Sequence, residues 1–229
     1  TPLYSSAASD VYKRQGLDRI RAVREVVGSN ARLMVDCHWR FNEEAARTMI
    51  SEVCASGIYW VECPIAETVE NIGSITRLRA STNSLGMRLA GLEDGVGIDA
   101  FRPYVEAGAY DVVMPDVKYF GGLKALVDTT DWFADKGVEV SLHNPSGPIS
   151  HAISLAVSAA VRSVDTLERQ FDESPLFGDL ATTPLPICIK GRSSLPRRRG
   201  IGTSLDPHVL AANADAVTLN WNLLTGAIT

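Results

Sequence analysis

The chain has 229 residues, 45% of them hydrophobic and 21% charged, a make-up that excludes disorder, collagen and coiled coil and suffices to bury a sizeable core. Its formal net charge of −5 argues against a nucleic-acid partner, because such binding rests on neutralising phosphates with clustered lysine and arginine; the one basic run, Arg197 to Arg199, reads as a solvated loop. No apolar stretch approaches the roughly eighteen residues of a membrane span and no secretory signal opens the chain, so we expect a cytoplasmic protein with no membrane partner.

Residues 1–15 share no hydrophobic period with the remainder of the chain and resemble translated adapter sequence, so we expect a non-native start. From Leu17 a helical segment closes at Gly28, and the apolar run Leu33 to Val35 ends in Asp36. The alternation then repeats. Helices are expected near 43–56, 72–81, 99–106, 123–136 and 149–162, each followed by a strand: 58–62, 88–92, 111–114, 138–142 and 164–167. Six apolar strands alternating with helices imply a parallel sheet.

A polar residue stands at the carboxyl end of every strand: Asp36, Glu62, Glu93, Asp116, His143 and Glu168, at intervals of 26, 31, 23, 27 and 25. Spacing of about one βα unit, with polar groups on each strand end, fits a (β/α)8 TIM-type barrel better than an open doubly wound sheet, which gathers its polar groups at one switch point. The fold expected is therefore α/β, a partial barrel of about six of the eight strands over residues 16–170. Residues 171–229, rich in proline and glycine, are expected to form a C-terminal extension that packs on the barrel or capping region. Cys37, Cys54, Cys63 and Cys188 lack CxxC spacing and are expected to be reduced and mostly buried.

Asp36, Glu62 and Glu93 end three successive strands, which makes them neighbours on one rim. Carboxylate oxygens with room for water suit Mg²⁺, and nothing offers a soft ligand set. His38 lies two residues beyond Asp36, so strand alternation would turn both side chains the same way, toward the metal. His143 and Asp116 end adjacent strands and form a candidate dyad, in which the carboxylate fixes the imidazole tautomer and raises its basicity. Lys118 reads as a loop lysine, His151 and His208 as packing residues. Trp39, Arg40 and residues 144–148 are expected to line the pocket.

Taken in order, VDCHWRF, VECPI, GLED, MPDVKYFGG, SLHNPSGP and TLERQFD resemble the strand-end motifs of the enolase superfamily, in its mandelate racemase group, over about residues 17–206. The resemblance implies metal ligands at Asp36, Glu62 and Glu93, a catalytic dyad at Asp116 and His143, and the strand-eight acid at Glu168. Asp116 stands five residues before Gly121 and Gly122, where the muconate-lactonizing group has a catalytic lysine, which favours the racemase-type group. The Asp-x-His pair at Asp36 and His38 resembles the sugar-acid dehydratases of that group. The chemistry so implied is Mg²⁺-dependent: His143 takes the α-proton of an acid-sugar substrate, Glu168 supports its carboxylate, His38 protonates the departing β-hydroxyl, and a 2-keto-3-deoxy acid results. The alternatives are a racemase or epimerase on the same scaffold and a non-catalytic fragment, since the resemblance leaves two strands and most of an N-terminal capping domain unmatched. A homo-oligomer is expected for the full-length parent.

Overall fold

The computed structural model describes residues 6–161, 163–169, 174, 176–196 and 198–213, with side chains from residue 14 onward. Residues 1–5 of the expected non-native start, Arg162 and Arg197, and residues 170–173, 175 and 214–229 lie outside that set.

The elements in chain order are α1 (Ser6–Val27), β1 (Leu33–Asp36), α2 (Glu43–Val53), β2 (Ile58–Glu62), α3 (Ile72–Ser84), β3 (Arg88–Gly91), α4 (Gly97–Glu106), β4 (Val112–Val113), α5 (Val117–Phe120), α6 (Gly122–Asp135), β5 (Glu139–Leu142), α7 (Gly147–Ala160), β6 (Val164–Leu167), α8 (Leu176–Asp179) and α9 (Pro207–Asn213). Helix α2 illustrates the local logic. Asn42 caps it by accepting from the Ala45 amide at 2.9 Å, Glu43 and Glu44 oppose the positive end of the helix dipole, and Ala46, Met49, Ile50 and Val53 form the buried face. Gly57, at φ 64°, then makes the left-handed turn into β2.

The six strands pair in parallel in sequence order, β1 to β6. Both faces are covered. Ile58, Val61, Leu89, Val113, Val140 and Leu142 pack outward against Ile50, Val53, Leu78, Phe101, Phe133 and Val157 of the helices. A smaller cluster of Trp60, Ala90, Val112 and Met114, joined by Met34 and Tyr59, fills the inside of the curve. One extra residue, Tyr59, interrupts the β1–β2 register and another, Asp165, the β5–β6 register. Such bulges bend a sheet and increase its twist. Curvature brings Arg32, just before β1, to within 2.5 Å of Asp165 on β6. At that same amino-terminal mouth Arg32 and Arg88 lie over the Tyr59 ring at 4.6 and 5.2 Å, and Arg88 pairs with Glu139. The architecture is a partial TIM barrel of six strands.

Some elements differ from expectation. Helix α1 runs unbroken from Ser6 across the change of period at residue 15. Strand β4 is shorter than the expected 111–114, and the residues after it turn into the unexpected helix α5, because Asp116 accepts from the Lys118 amide at 2.7 Å and so caps a new helix. Gly121 and Gly122, at φ 110° and 85°, then redirect the chain into α6. Beyond β6, Phe177 of α8 meets His151 of α7 edge-on at 6.0 Å, and Ala181 bridges Leu205 antiparallel. All four cysteines are free, but only Cys37 and Cys63 are buried; Cys54 is half-buried and Cys188 exposed. His151 is buried as expected, whereas His208 is exposed. Among the described residues no helix is long and apolar enough to cross a membrane.

Candidate active site

Parallel strands point their carboxyl ends the same way, so the residues that end them share one rim. Glu62 and Glu93 are buried there, and with Cys63 they offer ligand atoms all within 4.8 Å of one another. Asp36 stands outside that group and is about half-exposed, because its Oδ1 accepts from the His38 amide at 2.8 Å and the carboxylate follows its own loop. His38 closes the gap. Its Nδ1 lies 3.8 Å from Asp36 Oδ2 and 3.4 Å from Glu93 Oε1. Pleat alternation does not carry it there, since β1 ends at Asp36 and His38 has φ 47°; a left-handed turn does.

Burial, with the charges of Asp36 and Glu93 added, pushes the Glu62 carboxyl up to about 8. Burial also raises Glu93, against the lowering effect of His143 and His38. This is a crowd of carboxylates short of positive charge, and the donor set fits a hard divalent cation. Cys63 does not make the site soft. Burial and the surrounding carboxylates drive its thiol far up, so it stays protonated, and its Sγ lies 3.8 Å from Glu67.

Across the rim, His143 Nδ1 contacts Asp116 Oδ2 at 3.0 Å, and its Nε2 faces Glu93 Oε2 at 3.7 Å. Burial lowers the His143 imidazole, but Asp116, Glu168 and Glu93 outweigh it and hold the group above its usual value. Asp116 is itself buried, which opposes ionisation, yet the bonds from His143 and Lys118 leave its carboxyl below the ordinary range. Lys118 is therefore no plain loop lysine: helix α5 turns its ammonium to 3.2 Å from Asp116 Oδ2 and onto Ser146. Glu168 Oε2 accepts from the Asn144 amide at 2.8 Å.

Two contributors escape the sequence reading. Asn144, read only as a pocket residue, ties the ends of β5 and β6 to α7: its Nδ2 donates to the Glu168 carbonyl at 2.9 Å and contacts His151 Nδ1 at 2.8 Å. Glu67 lies in the loop after β2 and accepts four bonds beside the rim. No short motif marks Glu67, and the motif that contains Asn144, SLHNPSGP, assigns it no role of its own. Backbone strain gathers at the same rim, since His38, Trp39, Cys63 and Leu92 all have φ between 42° and 72° without being glycine, at about 1–2 kcal/mol each.

A family model described as enolase C-terminal domain-like matches residues 10–209. The chain belongs to that family. The enolase-type match runs past β6 through α8 and into α9. Among curated relatives, the chain is similar to D-gluconate dehydratase of Thermoproteus tenax, 27% identical over 211 residues that cover 91% of this chain and 41% of that protein. It is also similar to D-xylonate dehydratase of Haloferax volcanii, 26% identical over 199 residues, 85% of this chain and 46% of that one. Among solved structures, an enolase protein from environmental sequencing of the Sargasso Sea superposes with a TM-score of 0.78 at 26% identity, covering 92% of this chain and 54% of that one. The mandelate racemase/muconate lactonizing enzyme from Jannaschia sp. CCS1 shares the fold, with a TM-score of 0.78, 21% identity and coverage of 91% and 50%. This enolase-family chain thus spans about half the length of the relatives it matches.

Proposed function

We propose that the chain supplies the barrel active site of a Mg²⁺-dependent sugar-acid dehydratase, which removes the proton α to a carboxylate and expels the β-hydroxyl to give a 2-keto-3-deoxy acid. One observation carries this reading: two imidazoles flank Glu93, His143 at 3.7 Å from Oε2 and His38 at 3.4 Å from Oε1, and only His143 has a buried carboxylate behind it. The proposed base and the proposed acid thus lie on either side of Glu93, His143 backed by buried Asp116 and His38 half-exposed. The names of the relatives, dehydratases of D-gluconate, D-xylonate, L-rhamnonate and arabinonate, support the same substrate class.

Asp36, Glu62 and Glu93 would hold the Mg²⁺. Bound there, the cation supplies the positive charge against which a substrate carboxylate becomes acidic at its α-carbon. His143 Nε2 accepts the α-proton, while Asp116 keeps the proton of Nδ1 in place and stabilises the imidazolium. The electron pair left on the α-carbon forms the α,β double bond as the bond to the β-oxygen breaks, and His38 delivers the proton that makes water of the leaving group. The enol then tautomerises to the keto acid. Glu168, fixed through Oε2, would have to carry a proton on its other oxygen to donate to the substrate carboxylate.

The test is a panel of sugar acids, assayed in D₂O with the full-length protein that carries this chain, and scored for keto acid and for α-deuterium in recovered substrate. His143→Asn should abolish both signals. His38→Asn should suppress keto acid by about 10²–10⁴-fold and leave α-deuteration in place. Inversion of substrate without keto acid would replace this reading with a racemase on the same residues.

A further inference from the structure

Of the five non-glycine residues with left-handed backbone among those described, four adjoin the candidate metal ligands: His38 and Trp39 follow Asp36, Cys63 follows Glu62, and Leu92 precedes Glu93. Left-handed backbone at such residues persists only where the surroundings enforce it. A single carboxylate touches all three of these strained loops. Glu67 Oε2 accepts from Trp39 Nε1 at 3.1 Å; its Oε1 accepts from the Leu92 amide at 2.7 Å, from the Tyr110 hydroxyl at 2.6 Å and from Cys63 Sγ at 3.8 Å.

We infer that Glu67 is a positioning residue that clamps the loops after β1, β2 and β3 so that Asp36, Glu62 and Glu93 are held ready for one divalent cation. This rests on the proposed metal site. Every one of the four partners donates, so the node needs an acceptor with several lone pairs and no hydrogens, which an ionised carboxylate is. Burying a carboxylate is costly, and a side chain wanted only for packing would be apolar. The neighbouring sequence makes room for it: at Gly91 a Cβ would collide with the Glu67 carboxylate and with the Tyr110 ring. Tyr110 precedes β4 and carries no candidate ligand, so it braces the node from outside.

Glu67→Gln puts two N–H donors where an acceptor stood. If the amide oxygen keeps the three donors around Oε1, its nitrogen faces Trp39 Nε1, donor against donor, and the loop that carries Asp36 and His38 is released. The experiment is Mn²⁺ binding followed by electron paramagnetic resonance and Mg²⁺ binding by calorimetry, on this whole chain, with metal-free melting temperatures measured in parallel. Glu67→Gln should weaken Mn²⁺ binding about 10–100-fold, the usual effect of losing a residue that orients ligands. Tyr110→Phe, which removes one brace, should weaken it less. Leu126→Ala, in the buried face of α6, should lower the melting temperature and leave Mn²⁺ affinity unchanged. Unaltered Mn²⁺ affinity in Glu67→Gln overturns the inference even if melting falls, and should that variant not fold, unaltered affinity in Tyr110→Phe overturns it. Failure of the unsubstituted chain to bind either ion instead removes the metal reading, and the clamp with it.

Discussion

Glu62 offers a direct measurement of how far the rim is short of positive charge. A carboxyl whose folded value is about 8 against an ordinary 4.5 binds its proton more tightly in the folded chain than in the unfolded one. Stability without metal must therefore fall as pH rises from about 4.5 to 8; below that window both states are protonated, and above it the full penalty applies. At about 1.4 kcal/mol per pH unit the ceiling is about 5 kcal/mol, with burial of the charge the largest part and repulsion from Asp36 and Glu93 adding to it; Glu62→Gln still buries an amide, so roughly half of that should be recovered. Glu62→Gln keeps a carbonyl for the Trp60 indole N–H, which lies 3.3 Å from Oε2. In EDTA, the variant should match the unsubstituted chain near pH 5 and melt about 5–10 °C above it at pH 8, since 1 kcal/mol moves a chain of this size by about 2–4 °C. Millimolar Mg²⁺ should raise the unsubstituted chain at pH 8 and do little for the variant. Melting curves that stay parallel from pH 5 to pH 8, or an equal Mg²⁺ response in both proteins, would refute the reasoning.

Two more outcomes depend on burial. Asn144→Ala strands the Glu168 carbonyl and His151 Nδ1 without their shared donor, at a cost of about 2–3 kcal/mol, so thermal unfolding should drop by several degrees, while no change would mean that water replaces the amide. Burial pushes the Cys37 thiol up to about 12 and Cys63 higher still, whereas Cys188 is exposed, so iodoacetamide at pH 8 followed by peptide mapping should label Cys188 first and reach Cys37 and Cys63 only in denaturant.

The rim was legible in the sequence because βα alternation is a strong periodic signal and each strand ended in a group that charge makes conspicuous. Asp116 and His143 meet because adjacent parallel strands leave no other option for the residues at their carboxyl ends. What escaped was set by backbone conformation. Left-handed φ at Trp39, Cys63 and Leu92 has no residue-type signature, so nothing in ECPIAET marks Glu67 as their common acceptor. His38 reached its expected neighbours by a turn that the alternation argument did not contain, and Lys118 was misread because a four-residue helix, too short for any period, decides where its ammonium goes. Boundaries set by capping, as at Asp116, are likewise finer than a hydrophobic pattern resolves.

The strict sequence order of the strands bears on how the molecule forms. Each pairing joins strands one βα unit apart, so no part of the sheet waits on a distant segment, and closing a loop of that size costs little more than closing a shorter one. The sheet can lengthen a unit at a time from any starting strand, but each parallel pairing still joins strands whose polar end residues lie 23 to 31 positions apart in sequence, the non-local contact that slows folding relative to a hairpin. The ion pair between Arg32 and Asp165 is the exception, for it spans 133 residues and exists only after six strands have added their twist and both bulges their bend. With both side chains about half-exposed, the pair contributes at most about 1 kcal/mol, and a contact formed last would enter the unfolding rate and not the folding rate.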